Sequence, residues 1–396
     1  MPGLLVLMGS GETSPTMVEI HRAAARTLRP GARAVLLDTP YAFQENSADI
    51  SARACRYFGR SVGLDVEVAA GIAGADWVFS GPGSPTYALD RWAGSGVAGD
   101  LRARIRAREG VTVLASAAAC TAGLATVPVY EIYKVGAEPH WRAGIDLLEP
   151  LGLQAVLIPH FDNAEGGTHD TRYCYLGERR LSRMERELPP GTAVLGIDEH
   201  TALVIDLETE SVRVAGRGGL TVRRPGSQTI LPTGARTDLA ELRRLAEGAT
   251  AGPLAPPPPA PEDAPVQVTL EETIHSCEEV FKAAVAEPDM VAAAQTVLDL
   301  EAELVKWAAD TEEDAGGVDQ ARELMRRLIA RLGELAATAS RHSQSLGALV
   351  EPLLGLRAEL RARGGYENAD ALRAAMLAGG IAVEDTPDGP RWTPIP

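Results

Sequence analysis

A chain of 396 residues is too long for one ordinary domain, and 45% hydrophobic with 23% charged residues is a globular composition. The net charge of −16 argues against a general binder of nucleic acid or acidic membranes. No apolar stretch approaches the roughly 20 residues of a membrane span. The opening MPGLLVLMGSGE has no basic residue before its apolar run, so it reads as a first strand rather than a secretion signal. Cys55, Cys120, Cys174 and Cys277 lie far apart with no Cys-x-x-Cys pair, which fits a reducing cytoplasm and offers no zinc-site spacing.

Residues 1 to about 225 alternate apolar strands with amphipathic helices. Leu4 to Met8 is the first strand, left through Gly9-Ser10-Gly11-Glu12. Ser14 then caps a helix that has Pro15 at its first position. Ala34 to Leu37 is a strand, Asn46 to Tyr57 a helix, Val66 to Ala69 a strand. Asp76 to Ser80 is a strand that ends in Gly81-Pro82-Gly83-Ser84, and a helix runs through Tyr87 to Trp92. Val111 to Ala115 is a buried central strand, and the small residues Ala117, Ala118, Ala119, Ala122 and Gly123 suit a tightly packed helix after it. Ala155 to Ile158 is a strand leading to His160, and Val194 to Ile197 one leading to Asp198-Glu199-His200. Thr201 to Leu207 and Ser211 to Ala215 are closing antiparallel strands. The order implies an α/β domain with a mostly parallel sheet.

ATAGPLAPPPPAPEDAP, residues 249–265, has no apolar periodicity and reads as a semi-rigid extended linker. It divides the chain into an α/β domain, 1–248, and a second domain, 266–396. The latter has helical periodicity, with helices expected at Val291–Trp307, Ala321–Thr338, Leu349–Arg363 and Glu367–Leu377, and reads as a small bundle. It carries about twice as many acidic as basic residues, which is not a phosphate-binding footprint.

Ser116 sits where a strand turns into a helix. The bland reading is a helix cap. The chemical reading is a nucleophile at the carboxyl edge of a sheet, with backbone N–H groups nearby to hold an oxyanion. Two other strand ends deliver His160 and the Asp198-Glu199 pair, so nucleophile, base and acid can meet there. His160 would take the Ser116 proton and Glu199 or Asp198 would orient the imidazole, with the N–H groups of Gly83 and Ala117 as oxyanion donors. Gly11, Ser84, Asn163 and Arg172 are candidate substrate contacts, the last because an arginine fork binds a carboxylate. His160, Asp162, Glu165 and His169 form a weaker alternative, a divalent-metal set without recognised spacing. Cys120, about one turn into the helix, reads as a small core residue rather than a nucleophile. The residues name no organic cofactor.

The motifs then point to a family. GSGE at 9–12, SGPGSPTY at 80–87, ASAAACTAG at 115–123, IPHFDN at 158–163 and GIDEHTALV at 196–204 occur in an order that resembles the dipeptidase E and cyanophycinase serine peptidases. The resemblance implies a flavodoxin-like fold of the class I glutamine amidotransferase type. It places Ser116 at the family's serine, His160 at its histidine, Asp198-Glu199 in its acidic region, and Gly81 to Ser84 at its glycine loop. That family usually reads Gly-x-Ser-Ala-Gly at the serine; here Leu114 and Ala118 replace the two glycines. The loop after His160 is acidic where cyanophycinases carry arginines, which argues against cyanophycin as substrate. Ala369 to Arg373 and Gly380 to Trp392 (GIAVEDTPDGPRW) resemble the end of cysteinyl-tRNA synthetases, a helical domain with a small module that helps recognise tRNA. The synthetase HIGH and KMSKS motifs are absent, so aminoacylation is not expected.

Three functions are therefore expected in order. The first is a serine hydrolase of an amide or peptide bond, with a small peptide or amide as partner. The second is a non-catalytic protein that binds a small ligand or partner in a degenerate crevice, motivated by the lost glycines. The third is an aminoacyl-tRNA or aminoacyl-ester hydrolase guided by the C-terminal domain, with tRNA or a protein as its partner. No membrane partner is expected, and a homodimer is left open.

Overall fold

The computed structural model describes residues 3–165, 169–250, 270–307, 316–387 and 389–395. All but the first two residues of the Pro-rich segment lie outside the described residues. The chain divides into two compact units, one of Met1–Ser276 with Asp299–Arg322, the other of Cys277–Leu298 with Glu323–Pro396. None of the described helices is long and apolar enough to cross a membrane.

The first unit begins with β1 (Leu4–Met8), α1 (Val18–Ala25), β2 (Ala34–Leu36), α2 (Ser47–Tyr57), β3 (Val66–Val68), β4 (Trp77–Ser80), α3 (Pro85–Ser95), α4 (Val97–Ala107), β5 (Val111–Ala115) and α5 (Ser116–Cys120). It continues with β6 (Ala125–Thr126), α6 (Val129–Tyr133), β7 (Arg142–Ala143), β8 (Ala155–Ile158), α7 (Gly177–Glu185), β9 (Ala193–Ile197) and β10 (Thr201–Asp206). β11 (Ser211–Gly216), β12 (Gly219–Arg224), β13 (Ser227–Pro232), β14 (Arg236–Asp238) and α8 (Leu239–Ala246) follow.

The expected α/β architecture with a mostly parallel sheet is present, and its strands form two main sheets. The larger has the order β14-β11-β10-β1-β5-β4-β2-β3. Its parallel part is β1, β5, β4, β2 and β3, and β10 closes antiparallel on β1. The smaller has the order β13-β12-β9-β8, parallel only between β8 and β9. The reason is local: β12 takes the free edge of β9 while β10 takes the free edge of β1. The three residues Asp198 to His200 therefore carry the chain from one sheet to the other. β1 and β5 lie inside the larger sheet and are buried on both faces almost throughout, so they read as apolar runs broken only by Thr112.

Two smaller expectations also change. Ser14 makes no capping bond; a 3-10 turn at Pro15–Met17 precedes α1 instead. α4 was not anticipated because its apolar stripe is narrow: Val97, Leu101 and Ile105 are buried, and arginines fill the positions around Ile105.

Beyond the Pro-rich segment lie α9 (Leu270–Ala286), α10 (Met290–Trp307), α11 (Gly316–Ala362), α12 (Tyr366–Ala378), and a hairpin of β15 (Ile381–Thr386) with β16 (Gly389–Pro394). The helical reading holds, with two corrections. Two of the expected helices are parts of the single 47-residue α11, and the chain ends in strands. In the second unit Val350, Leu354, Met376, Ile381 and Val383 form a small core. Arg357, almost fully buried, donates to both carboxylate oxygens of Asp385 at 2.6 and 2.9 Å. Asp385 belongs to the EDTP stretch, so a charge-assisted fork fixes the hairpin on α11.

Candidate active site

β5 ends at Ala115 in extended conformation, and Ser116 turns the chain into α5 with φ of +46°. A non-glycine residue held there costs about 1–3 kcal/mol and persists only where its surroundings impose it. The turn is tied down one residue later but one by the Ala118 N–H, which donates to the Gly81 carbonyl at 3.1 Å. Leu114 and Ala118, which stand where the resembling serine peptidases usually carry glycines, are both fully buried in the apolar core. Strand alternation sends the Leu114 side chain into that core, so the strained turn forms without either glycine.

His160 follows β8, in the smaller sheet, also at positive φ (+48°). Its carbonyl accepts from the Cys174 N–H at 3.1 Å, and the next carbonyl, of Phe161, accepts from Tyr173 at 3.0 Å. Tyr173, Cys174 and Tyr175 all have φ between +54° and +63°. Three consecutive L-residues in this region are disfavoured by sterics, and here they form the brace that grips the His160 backbone. The imidazole Nε2 lies 2.9 Å from Ser116 Oγ, and Nδ1 lies 2.9 Å from Glu199 Oε1. Glu199 sits in the turn that joins the two sheets. Its Oε1 also accepts from Asn163 Nδ2 at 3.1 Å, and its backbone N–H donates to Asp162 at 2.7 Å.

Electrostatics follow from these contacts. Burial alone would lower the His160 pKa, but the hydrogen bond and charge of Glu199, helped by Glu12 and Glu165, outweigh it and hold the imidazole above its usual 6.5. Burial would raise Glu199; the bonds from His160 and Asn163 and the charge of the imidazole hold it below its usual value. The pair is thus set for a neutral-to-cationic histidine beside a permanent carboxylate.

The glycine loop lies against α5. Gly83 has φ of +125°, and a Cβ there would meet the Pro40 carbonyl oxygen at 2.2 Å, so only glycine fits. Ala117 is in the first turn of α5, where N–H groups lack helical acceptors. Among the described residues neither the Gly83 nor the Ala117 N–H donates to a protein acceptor. Gly83, Ser116, Ala117, His160 and Glu199 all line one cavity of about 520 Å³.

The N-terminal part resembles peptidase E. A peptidase structure from an acI-B1 actinobacterium is similar over 60% of this chain and 97% of its own, with a TM-score of 0.44 and 17% identity. A structure described as peptidase E from Listeria monocytogenes is similar over 55% of this chain and 99% of its own, at 0.38 and 14%. Short stretches are similar to curated cysteine–tRNA ligases. That of Frankia casuarinae is 38% identical over 85 residues, 21% of this chain and 16% of that protein. That of Arthrobacter sp. is 36% identical over 93 residues, 22% of this chain and 19% of that protein. The chain thus spans less than a fifth of the length of these two relatives. No family model matches the chain.

The remaining sequence candidates are placed elsewhere. Asp198 does not reach His160; its carboxylate accepts from the Gly219 N–H at 2.7 Å, and burial together with Asp162 pushes its pKa up to about 6. Asn163 is fully buried and holds Glu199 rather than a substrate. Arg172 pairs with Asp170 at 2.8 Å and stacks on Tyr173, away from the cavity lining. Ser84 caps α3, accepting from the Tyr87 N–H at 3.2 Å. Gly11, outside the cavity lining, packs under the His200 ring, where a Cβ would lie 2.2 Å from Nδ1. The four metal candidates are spread over other bonds: His160 between Ser116 and Glu199, Asp162 on the Glu199 N–H, Glu165 on the Tyr175 hydroxyl at 2.7 Å, His169 3.4 Å from the Tyr133 hydroxyl. Among the described residues no three such side chains gather. Cys120 is fully buried and its thiol is pushed up to about 12 by burial, as a core residue should be.

Sequence reasoning missed several cavity-lining residues, including Tyr133, Tyr175, Leu270 and Trp307. His200 passed only as a neighbour of Glu199; its Nδ1 lies 2.8 Å from Thr16 Oγ1, and its ring meets Trp307 edge-on at 6.0 Å. A pair of tyrosines and a tryptophan across the Pro-rich segment carry no spacing signal that would join them.

Proposed function

We propose that the chain is a serine hydrolase acting on an amide or peptide bond. One observation carries this reading: the unbroken relay from Ser116 Oγ through both nitrogens of His160 to Glu199, each link 2.9 Å. His160 accepts the Ser116 proton as Oγ attacks the carbonyl carbon. The N–H groups of Gly83 and Ala117 receive the oxyanion, and Glu199 holds the imidazolium that forms. Protonated His160 then gives its proton to the departing amine, and a water activated by the same imidazole releases the acyl group from Ser116. The test is incubation with an active-site-directed fluorophosphonate, followed by peptide mapping, alongside a panel of short peptides and amides. An adduct on Ser116 with turnover of some member supports the reading; no adduct and no turnover overturn it.

The base must be neutral to accept a proton, so kcat/KM should fall as pH drops through the His160 pKa. Because Glu199, Glu12 and Glu165 hold that pKa above 6.5, the acid limb should be centred above 6.5. Glu165→Gln removes one of these charges and should move the limb toward lower pH without abolishing turnover. A limb that stays in place would show that Glu165 does not act on His160.

A second reading, hydrolysis of an aminoacyl ester on tRNA, is favoured by the short likeness to cysteine–tRNA ligases. A gel-shift titration with tRNA at physiological salt tests it. Absence of binding up to tens of micromolar, roughly the non-specific range, would remove it.

A further inference from the structure

The cavity that holds the relay is not walled by the N-terminal residues alone. Leu270 at the start of α9, Trp307 at the end of α10 and Val318 in α11 line it together with Ser116 and His160. All three belong to the first compact unit, although they lie beyond the Pro-rich segment. Trp307 and Leu270 are each only 6% exposed, so these are seated side chains rather than loose ends. Trp307 meets the edge of His200, whose ring is anchored by Thr16. Beside Leu270, Arg217 pairs with Glu272 at 3.0 Å, and Leu270 Cδ2 lies close over Gly317, 3.3 Å from where a Cβ would stand.

A bulky indole and a branched aliphatic side chain have no proton chemistry to offer Ser116. What they do is exclude volume. We infer that Trp307 and Leu270 are specificity-determining wall residues, contributed by the helical region, that set the size of the group able to reach Ser116. The inference deepens the hydrolase reading and rests on it for the word substrate. A wall built this way admits a group that fits beside the indole and rejects a longer or branched one. It also gives the helical region a role at the reaction centre that needs no nucleic acid.

The test uses the full chain and does not depend on turnover. Ser116→Cys places a thiol at the centre, beside His160, which favours the reactive thiolate. Cys120, Cys174 and Cys277 are buried, and Cys55→Ser removes the partly exposed one. Alkylation rates are then compared for iodoacetamide and for a bulky fluorescein maleimide. Trp307→Ala should raise the bulky-to-small rate ratio by about tenfold or more, the scale on which pocket volume discriminates. Leu270→Ala should raise it by less, and Trp307→Phe should keep it low. An unchanged ratio in both alanine variants overturns the wall. If Trp307→Ala melts early, Leu270→Ala decides. A changed ratio in a protein that hydrolyses nothing keeps the wall and removes the hydrolase reading. Hydrolysis with an unchanged ratio does the reverse.

Discussion

Replacing Ser116 by alanine is expected to lower kcat by at least about a thousandfold, and by up to about a millionfold. A catalytic relay works as a unit, so the residual rate would come only from binding and the oxyanion donors. Stability should change little by comparison: the serine gives up one partly buried hydrogen bond to His160, worth about 1 kcal/mol. Ser116→Gly makes the expectation sharper. Both variants lack the nucleophile, but glycine accepts φ of +46° without the Cβ penalty. The glycine variant should therefore be as inactive as the alanine variant yet more stable than it, by about 1 kcal/mol or more. Amine release and thermal melts of the three proteins measure both quantities. Full turnover in Ser116→Ala would remove Ser116 as nucleophile.

Arg223→Ala should be strongly destabilising, at about 3–5 kcal/mol. Arg223 on β12 is nearly buried and donates to Glu185 at 2.8 Å and to Glu178 at 2.6 Å, both on α7. Removing it leaves Glu185, only 3% exposed at its side chain, as an unpaired buried carboxylate. It also removes a cation stacked 5.3 Å over Tyr173, the first residue of the brace on His160. The double variant Arg223→Met with Glu185→Leu should recover most of the loss, because no buried charge is left alone. The difference between wild type and Arg223→Ala should also depend on pH. Glu178 is held down to about 2, first by its bond from Arg223. A depressed carboxylate stabilises the fold above its unfolded pKa, near 4.5, and loses that contribution as pH falls toward 2. Denaturant titrations at pH 7 and pH 3 should show a smaller gap at the lower pH.

Ser116, His160 and the Asp198-Glu199 pair were legible as candidates because each stands within two residues of the end of an apolar strand, and a strand end is a defined place. Which of Asp198 and Glu199 faces the imidazole was not legible, since adjacent residues in a turn differ by a backbone angle that side-chain type does not encode. The pairing of strands was also hidden. β10 (TALVID) carries a clear apolar signal and β12 (GLTVRR) hardly any, yet only their partners, β1 and β9, divide them between sheets. Arg172 misled because an arginine near a site advertises a ligand, whereas Asp170 two residues earlier already satisfies it. Trp307 and Leu270 were invisible for a different reason: they share a cavity with Ser116 across about 150 residues or more of intervening chain, with no periodicity to announce it.

The division of the relay between two sheets has a consequence for how the protein loses activity. Ser116 is fixed by the larger sheet and His160 by the smaller, and Glu199 hangs in the three-residue strap that joins them. Any sub-global opening that parts the smaller sheet, even with β1, β5 and β4 still paired, separates all three groups at once. Amide hydrogen exchange in β8, β9 and β12 should therefore report the same opening free energy that governs inactivation by mild denaturant. The strands at the centre of the larger sheet would exchange only through global unfolding, so the relay would come apart while much of the fold still stood.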